Sequence, residues 1–134
     1  MGLRVAGEKK LWSGGLLSAD VWVSLHGGVA ASSGNELDAT DTTGDHYAEN
    51  YARKKMQSTD WTVSDTTGAA HNTNAIAFAA PGAGNEWAAA RSVALWDAAT
   101  GGNILVDAPI QGAPLVGASA DPISFGSGAL TMDV

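Results

Sequence analysis

The chain has 134 residues with a formal net charge of −7, from 7 Lys and Arg against 14 Asp and Glu, and it contains no cysteine. This length is that of one domain, and the absence of cysteine excludes disulfides and thiolate metal sites. The negative charge disfavours nucleic acid and anionic membrane surfaces as partners, since both carry the same sign. Every apolar run falls far short of the ~20 residues that span a bilayer, and no signal peptide is expected at the N-terminus.

Residues 1–18 are predicted to form a short N-terminal arm or helical turn. Leu11, Trp12 and Leu16 recur at a loosely helical spacing, but three glycines interrupt the pattern. Each glycine inside a helix costs about 1 kcal/mol relative to alanine, so a long helix is not expected. The apolar side chains of the arm would anchor it to a core or to a neighbouring subunit. Residues 19–134 are then expected to form a single β domain.

Short strands with turn residues between them follow along the rest of the chain. Residues 20–26 alternate clearly, and further strands are predicted at 61–63, 75–79, 87–96, 104–106, 123–125 and 129–134. Residues 47–57 fit a strand or a helix. Many short, closely spaced strands are typical of an antiparallel β-sandwich or jelly roll, so the predicted class is all-β. The expected core comprises Val21, Val23, Leu25, Ile76, Phe78, Leu95, Ile104, Ile123, Phe125 and Leu130.

The clearest local signal is a hairpin around the sequence DAATGGN at residues 97–103. Two β-prone runs flank this polar turn. Gly101 and Gly102 can adopt the positive φ angles that a tight return needs. Asp97 and Thr100 can bond neighbouring backbone groups and hold the turn. The pattern therefore predicts two antiparallel strands joined at this point.

The sequence contains no catalytic or metal-binding motif with the required spacing. The acidic loop invites a calcium site, but a calcium loop beginning at Asp41 would place His46 where glycine is needed and Ala52 where the bidentate glutamate belongs. His26, His46 and His71 are far apart and lack ligand spacing. Neither a phosphate-binding loop nor a nucleophile elbow occurs. No catalytic, cofactor-binding or metal-binding residue is predicted, and the protein is not expected to be an enzyme.

Apolar and basic residues supply the predicted interfaces. Tryptophan is over-represented at protein interfaces, which favours Trp12 and Trp87 at element borders. The one basic cluster could meet a negatively charged partner, although a charged strand edge that blocks aggregation explains it better. The segment 108–116, bordered by glycine and proline, could also pack against a neighbour. The full set of predicted interface residues is Leu11, Trp12, Leu16, Trp87, Arg53, Lys54 and Lys55.

Three segments carry distinctive motifs: YAR at residues 51–53, WDAATGGNIL at 96–105 and ISFGSGALTM at 123–132. Together they resemble a family of small tailed-phage proteins commonly labelled phage tail fibre proteins. The resemblance implies a non-enzymatic structural protein of a phage virion, either fibre-type or a head decoration, acting through protein–protein contacts. Such modules act in many symmetric copies. The expected partners are therefore further copies of this chain, as a trimer, and other capsid or tail proteins of the virion, assembled in the host cytoplasm.

A second hypothesis is a carbohydrate-binding or hydrolytic module that recognises a receptor. Here tryptophans would serve as sugar platforms and two carboxylates as acid and base, with a host-surface glycan as partner. It depends on the abundance of Trp and Asp rather than on any spacing. Sugar binding that is lost on substitution of Trp12 or Trp87 would favour it over the structural role.

Overall fold

The computed structural model describes residues 5–132, and their regular structure is mostly β. A short helix α1 (Val5–Leu11) is followed by a π-helical turn at Trp12–Leu16, and a 3-10 turn covers Ser58–Asp60. The described strands are β1 (Val21–His26), β2 (Lys54–Met56), β3 (Trp61–Val63), β4 (Ala70–Asn72), β5 (Ile76–Ala77), β6 (Ser92–Trp96), β7 (Ile104–Pro109), β8 (Ser124–Phe125) and β9 (Thr131–Met132). Nine strands in three antiparallel sheets and one short helix confirm the all-β prediction with its N-terminal helical turn. The sandwich or jelly-roll arrangement stays a prediction.

The sheets have the strand orders β2-β1-β6-β7, β3-β4-β9 and β5-β8. The contacts divide the chain into two compact units. Unit 1 takes in the described parts of Met1–Val21, Lys55–Ile76 and Ser124–Val134, and unit 2 comprises Trp22–Lys54 and Ala77–Ile123. The division into an arm at 1–18 and a domain at 19–134 stays a prediction, and residues 1–4 and 133–134 lie outside the described residues.

In unit 1, a buried asparagine fixes the return between the last two strands. Asn72 has no exposed surface, and its side-chain nitrogen donates to the carbonyls of Asn74 and Gly126, each at 2.9 Å. Its side-chain oxygen accepts the backbone N–H of Leu130 at 2.9 Å. Because these bonds satisfy the amide, its burial does not carry the cost of an unpaired polar group. The turn around Gly128 (φ 78°) is thereby held to β4.

In unit 2, β1 and β6 form the most buried pair of strands. Their register joins Val23 to Leu95 and Leu25 to Val93, and every residue of β6 is buried. β7 pairs antiparallel with β6 on both sides of an irregularity between Leu95 and Trp96. This pairing confirms the predicted hairpin. The edge strand β7 is half-buried at first and then exposed, because it has a strand neighbour on one side alone.

The predicted core is confirmed in most positions and wrong in three. Val21, Val23, Leu25, Ile76, Phe78, Leu95 and Ile123 are buried. Ile104, Phe125 and Leu130 are half-buried. Ile104 begins the edge strand, and Phe125 ends a strand of two residues, so each has fewer strand neighbours than a central position has. A full-burial stabilisation does not apply to these three side chains.

Candidate functional site

The hairpin turn of unit 2 is held by one aspartate and two left-handed glycines. Asp97 accepts the backbone N–H of Asn103 at 2.7 Å and the side-chain amide of Asn103 at 3.0 Å. Gly101 and Gly102 have φ angles of 61° and 77°, a region that favours glycine. The hydrogen bonds from the Asn103 backbone and then from its side chain lower the pKa of Asp97. The turn is therefore a defined surface rather than a loose loop, as its sequence predicts.

Arg53 fastens this turn to two other segments of unit 2. Its Nε and Nη2 atoms donate to the two carboxylate oxygens of Glu36, each at 2.8 Å. Its Nη1 donates to the carbonyls of Ala98 at 2.9 Å and Gly101 at 2.8 Å. The guanidinium carbon lies 3.6 Å from the centre of the Trp96 ring. A planar guanidinium makes all of these contacts at once, which the single ammonium of lysine cannot do.

Tyr51 extends this network into the sheet. Its hydroxyl donates to Glu36 at 3.0 Å and accepts the backbone N–H of Leu25 at 3.1 Å. Burial, and then the negative charge of Glu36, raise the pKa of the Tyr51 hydroxyl, which stays protonated as a donor. The preceding residue, Asn50, adopts φ 66°, a conformation in which asparagine is among the best tolerated residues. The YAR motif thus places one buried hydroxyl and one buried guanidinium on the same carboxylate.

An open cleft of about 360 Å³ lies above this network. Its walls come from the hairpin turn, the YAR segment and the loop that carries Glu36, with Asp38, Thr40 and Thr100 among the lining side chains. Hydrogen bonds from the backbone and then the hydroxyl of Thr40 lower the pKa of Asp38, which is ionised at neutral pH. The cleft therefore combines the Arg53–Glu36 ion pair with the hydrogen-bonded, ionised carboxylate of Asp38. An adjoining smaller cleft is lined by acidic residues that include Asp41 and Asp45.

Metal coordination has no candidate in this surface. Within residues 5–132, no group of three or more His, Asp or Glu side chains is arranged to hold a metal ion. The histidines also differ in burial: His26 is fully buried, whereas His46 and His71 are half-buried. No helix among the described residues is long and apolar enough to cross a membrane.

A serine–histidine–asparagine arrangement exists in unit 2 but is sealed from solvent. Ser24 Oγ lies 2.6 Å from His26 Nε2, and His26 Nδ1 lies 2.9 Å from Asn35 Oδ1. Because Nδ1 faces two acceptor oxygens, that of Asn35 and the Ser32 carbonyl, this nitrogen carries a proton. The Trp96 indole donates to Ser24 Oγ at 2.7 Å. Ser24 and His26 are both completely buried, so no substrate carbonyl can approach this hydroxyl.

Trp87 belongs to an aromatic cluster inside unit 2. It meets Tyr51 and Phe78 edge to face, with ring centres at 5.8 Å and 6.5 Å. Its indole nitrogen donates to the Glu49 carbonyl at 2.6 Å. The side chain of Glu49 accepts the backbone N–H of Gly82 at 2.9 Å, which ties the following loop to the same region. With an exposed fraction of 3%, Trp87 offers almost no surface to another chain.

The remaining predicted interface residues fall into two groups. Trp12 is 3% exposed and Leu16 half-buried, whereas Leu11 is 39% exposed at the end of α1. Lys54 and Lys55 are exposed, and Lys55 makes a 3.2 Å ion pair with Asp20 within unit 1. The interface role of the whole set stays a prediction, with Leu11, Lys54 and Lys55 the members accessible to another chain.

The residues that build the site, apart from Arg53, are not singled out by the sequence. Glu36 reads as one of several acidic residues in a polar loop, and Tyr51 as part of an ambiguous segment. Arg53 itself stands out in the sequence only as a member of the basic cluster. Its partner could not be identified, because Glu36 is 17 positions away.

Fold and site together define a small all-β structural module whose polar groups mostly hold its own loops in place. No curated protein matches the sequence. The chain belongs to the family described as podophage GP4 fiber I protein gp80, whose model matches residues 17–133. It is accordingly a bacteriophage virion structural protein.

Proposed function

We propose that this chain is a non-enzymatic module on the surface of a tailed-phage particle, of the tail-fibre type or a head decoration, and acts through protein–protein contacts. Family membership supports the virion role. The observation that carries the proposal further is the Arg53 network, in which one side chain bonds Glu36, Ala98 and Gly101. Three loops fastened in this way form a fixed surface, which suits a recognition module held on a rigid scaffold.

The chemistry of unit 2 supports a binding role over a catalytic one. A nucleophile must reach its substrate, and Ser24 with its histidine partner has no exposed surface. The Asp38 carboxylate, which accepts hydrogen bonds from Thr40, lies in an open cleft whose other acid, Glu36, is paired with Arg53. These hydrogen bonds lower the pKa of Asp38, whereas a general acid needs a raised pKa at neutral pH.

The carbohydrate hypothesis finds less support. Sugar platforms require exposed aromatic faces, yet Trp12, Trp61, Trp87 and Trp96 are each at most 8% exposed and Trp22 is half-buried. The proposed partners are therefore other virion proteins, capsid or tail, and further copies of this chain. A trimer is the expected state, because virion modules are symmetric and present in many copies. Leu11, Lys54 and Lys55 are the accessible members of the predicted interface set.

Purified particles provide the test. Mass spectrometry should detect the chain in particles after density-gradient purification, and cryo-electron microscopy should locate it. Hundreds of copies on the shell would indicate a head decoration, and a few copies at the tail would indicate a fibre. A glycan array run with the purified protein serves as the contrasting measurement. Absence from purified particles, or saturable sugar binding that is lost on substitution of cleft residues, would refute the structural proposal.

A further inference from the structure

Residues 108–116, here called the uncharged ribbon, form an exposed apolar segment of unit 2. The ribbon begins within the edge strand β7 and contains Ala, Pro, Ile, Leu and Val with a single polar side chain, Gln111. Most of its residues are exposed, and Val116 retains 45% of its surface. No Asp, Glu, Lys or Arg occurs from Ala108 to Ala120.

The backbone of the ribbon is fixed near both ends. Ile110 donates its N–H to the Arg91 carbonyl at 2.8 Å. Leu115 exchanges two backbone hydrogen bonds with Ala90, at 2.7 Å and 2.9 Å. Between these points Gly112 takes φ 83°, which allows the chain to turn. The ribbon is therefore a formed surface, so a partner need not order it on binding.

A partner cannot use the ribbon as a continuous strand edge. Pro109 and Pro114 have no backbone N–H, so the ladder of a further strand would be interrupted at both. Proline on an edge strand is one of the devices by which proteins prevent sheet extension. The contact has to come from apolar side chains, of which Val116 and the partly exposed Ile110 and Leu115 are the largest.

We infer that copies of this chain dock on one another through the uncharged ribbon, ribbon against ribbon, around the axis of the expected trimer. Two copies that each carry a net charge of −7 repel one another over most of their surfaces. An uncharged segment removes that repulsion where identical surfaces meet. The charged residues at its border, Asp107 and Arg91, have opposite signs, and Asp107 already accepts the backbone N–H of Ala31 at 3.1 Å. A partner selected by charge would instead meet the acidic loops around Asp41.

This inference deepens the proposed function by assigning a surface to its self-association. Stable dimer interfaces bury about 800 Å² on each partner, from about 20–30 residues a side. The ribbon is smaller and would be the centre of a contact that many copies on a particle reinforce. A covalent trap is therefore a better test than the affinity of free copies alone.

The absence of cysteine from the chain makes such a trap simple. Val116→Cys places one thiol on the ribbon, and Val29→Cys places one on an exposed loop of the same unit. Val29 is the more accessible site, at 69% against 45%, so random collision would favour it. Disulfides require Cα atoms within about 7 Å, which only a close, specific approach sustains.

The two variants are oxidised at equal low concentration, and dimers are counted on a non-reducing gel. We expect Val116→Cys to cross-link at least about tenfold faster than Val29→Cys, because pre-paired thiols have a high effective concentration. Val116→Asp should lower self-association in analytical ultracentrifugation while leaving the circular dichroism spectrum unchanged. Equal rates, or faster cross-linking at position 29, would overturn the inference. If Val116→Cys fails to cross-link while particles contain the chain, the ribbon assignment is wrong and the proposed function stands. Cross-linking by a chain that is missing from particles would refute the proposed function alone.

Discussion

Replacing Arg53 by alanine should destabilise unit 2 strongly. The side chains of Arg53 and Glu36 are 7% and 15% exposed, so the pair is screened little by solvent. Removing one partner of a buried ion pair costs about 3–5 kcal/mol, because the other charge is left uncompensated. The lost contact with Trp96 and the two freed carbonyls, those of Ala98 and Gly101, fall within that range. We expect a loss of about 3–5 kcal/mol in the free energy of unfolding.

Urea unfolding followed by tryptophan fluorescence would measure this loss, since Trp96 lies under the guanidinium. Lys54→Ala is the matched control: it removes an exposed neighbouring charge and should change stability by less than about 0.5 kcal/mol. Arg53→Lys should recover part of the loss, because the charge is retained but the bidentate geometry is not. Glu36→Gln combined with Arg53→Met should cost less than Arg53→Ala, since neither charge is then left unpaired. A loss below about 1 kcal/mol for Arg53→Ala would contradict the reasoning, because leaving the buried Glu36 carboxylate without its partner should cost more than that.

Three further measurements test other parts of the fold. Hydrogen bonds lower the pKa of Glu49 from 4.5, so its contribution to the free energy of unfolding is complete above pH 4.5 and is lost as the pH falls through the lowered pKa. Glu49→Gln should weaken this dependence of stability on acid pH, and an unchanged curve of stability against pH would argue against it. Phe78→Ala should lower the free energy of unfolding by about 3–5 kcal/mol, because Phe78 is 4% exposed. Phe125→Ala should lower it by about 1–2 kcal/mol, because Phe125 is half-buried. The reverse order of the two losses would count against the burial of Phe78. Gly101→Ala and Gly102→Ala both place alanine at a positive φ, but a Cβ at position 102 would also meet the side chain of Asp97, whereas position 101 is open. Thermal unfolding should therefore show a larger loss of stability for Gly102→Ala, and equal losses would contradict this reasoning.

The features that depend on residues close together in the chain could be predicted from the sequence. The hairpin at residues 97–103 could be predicted because turn chemistry is short-range: an aspartate, two glycines and flanking β-prone runs act within a few positions. The class, all-β with a short N-terminal helical turn, followed for the same reason from alternation and from glycines that interrupt the arm. The central strand β1 was recognised from the alternation of Val21, Val23 and Leu25.

Long-range pairing was decided by the tertiary structure. A strand pattern marks one face as apolar, but whether its other face is also covered depends on which strands become its neighbours. Ser24 and His26 are buried because Trp96 of β6 contacts Ser24 and Asn35 of the following loop contacts His26. The spacing of these residues in the sequence does not predict either contact. The role of Arg53 likewise depends on a carboxylate 17 residues away and on carbonyls 45 and 48 residues away. The sequence thus determined which residues could turn, alternate or enter the interior, and the fold alone determined which buried polar groups would meet, because each such group must find a partner that the chain returns from elsewhere.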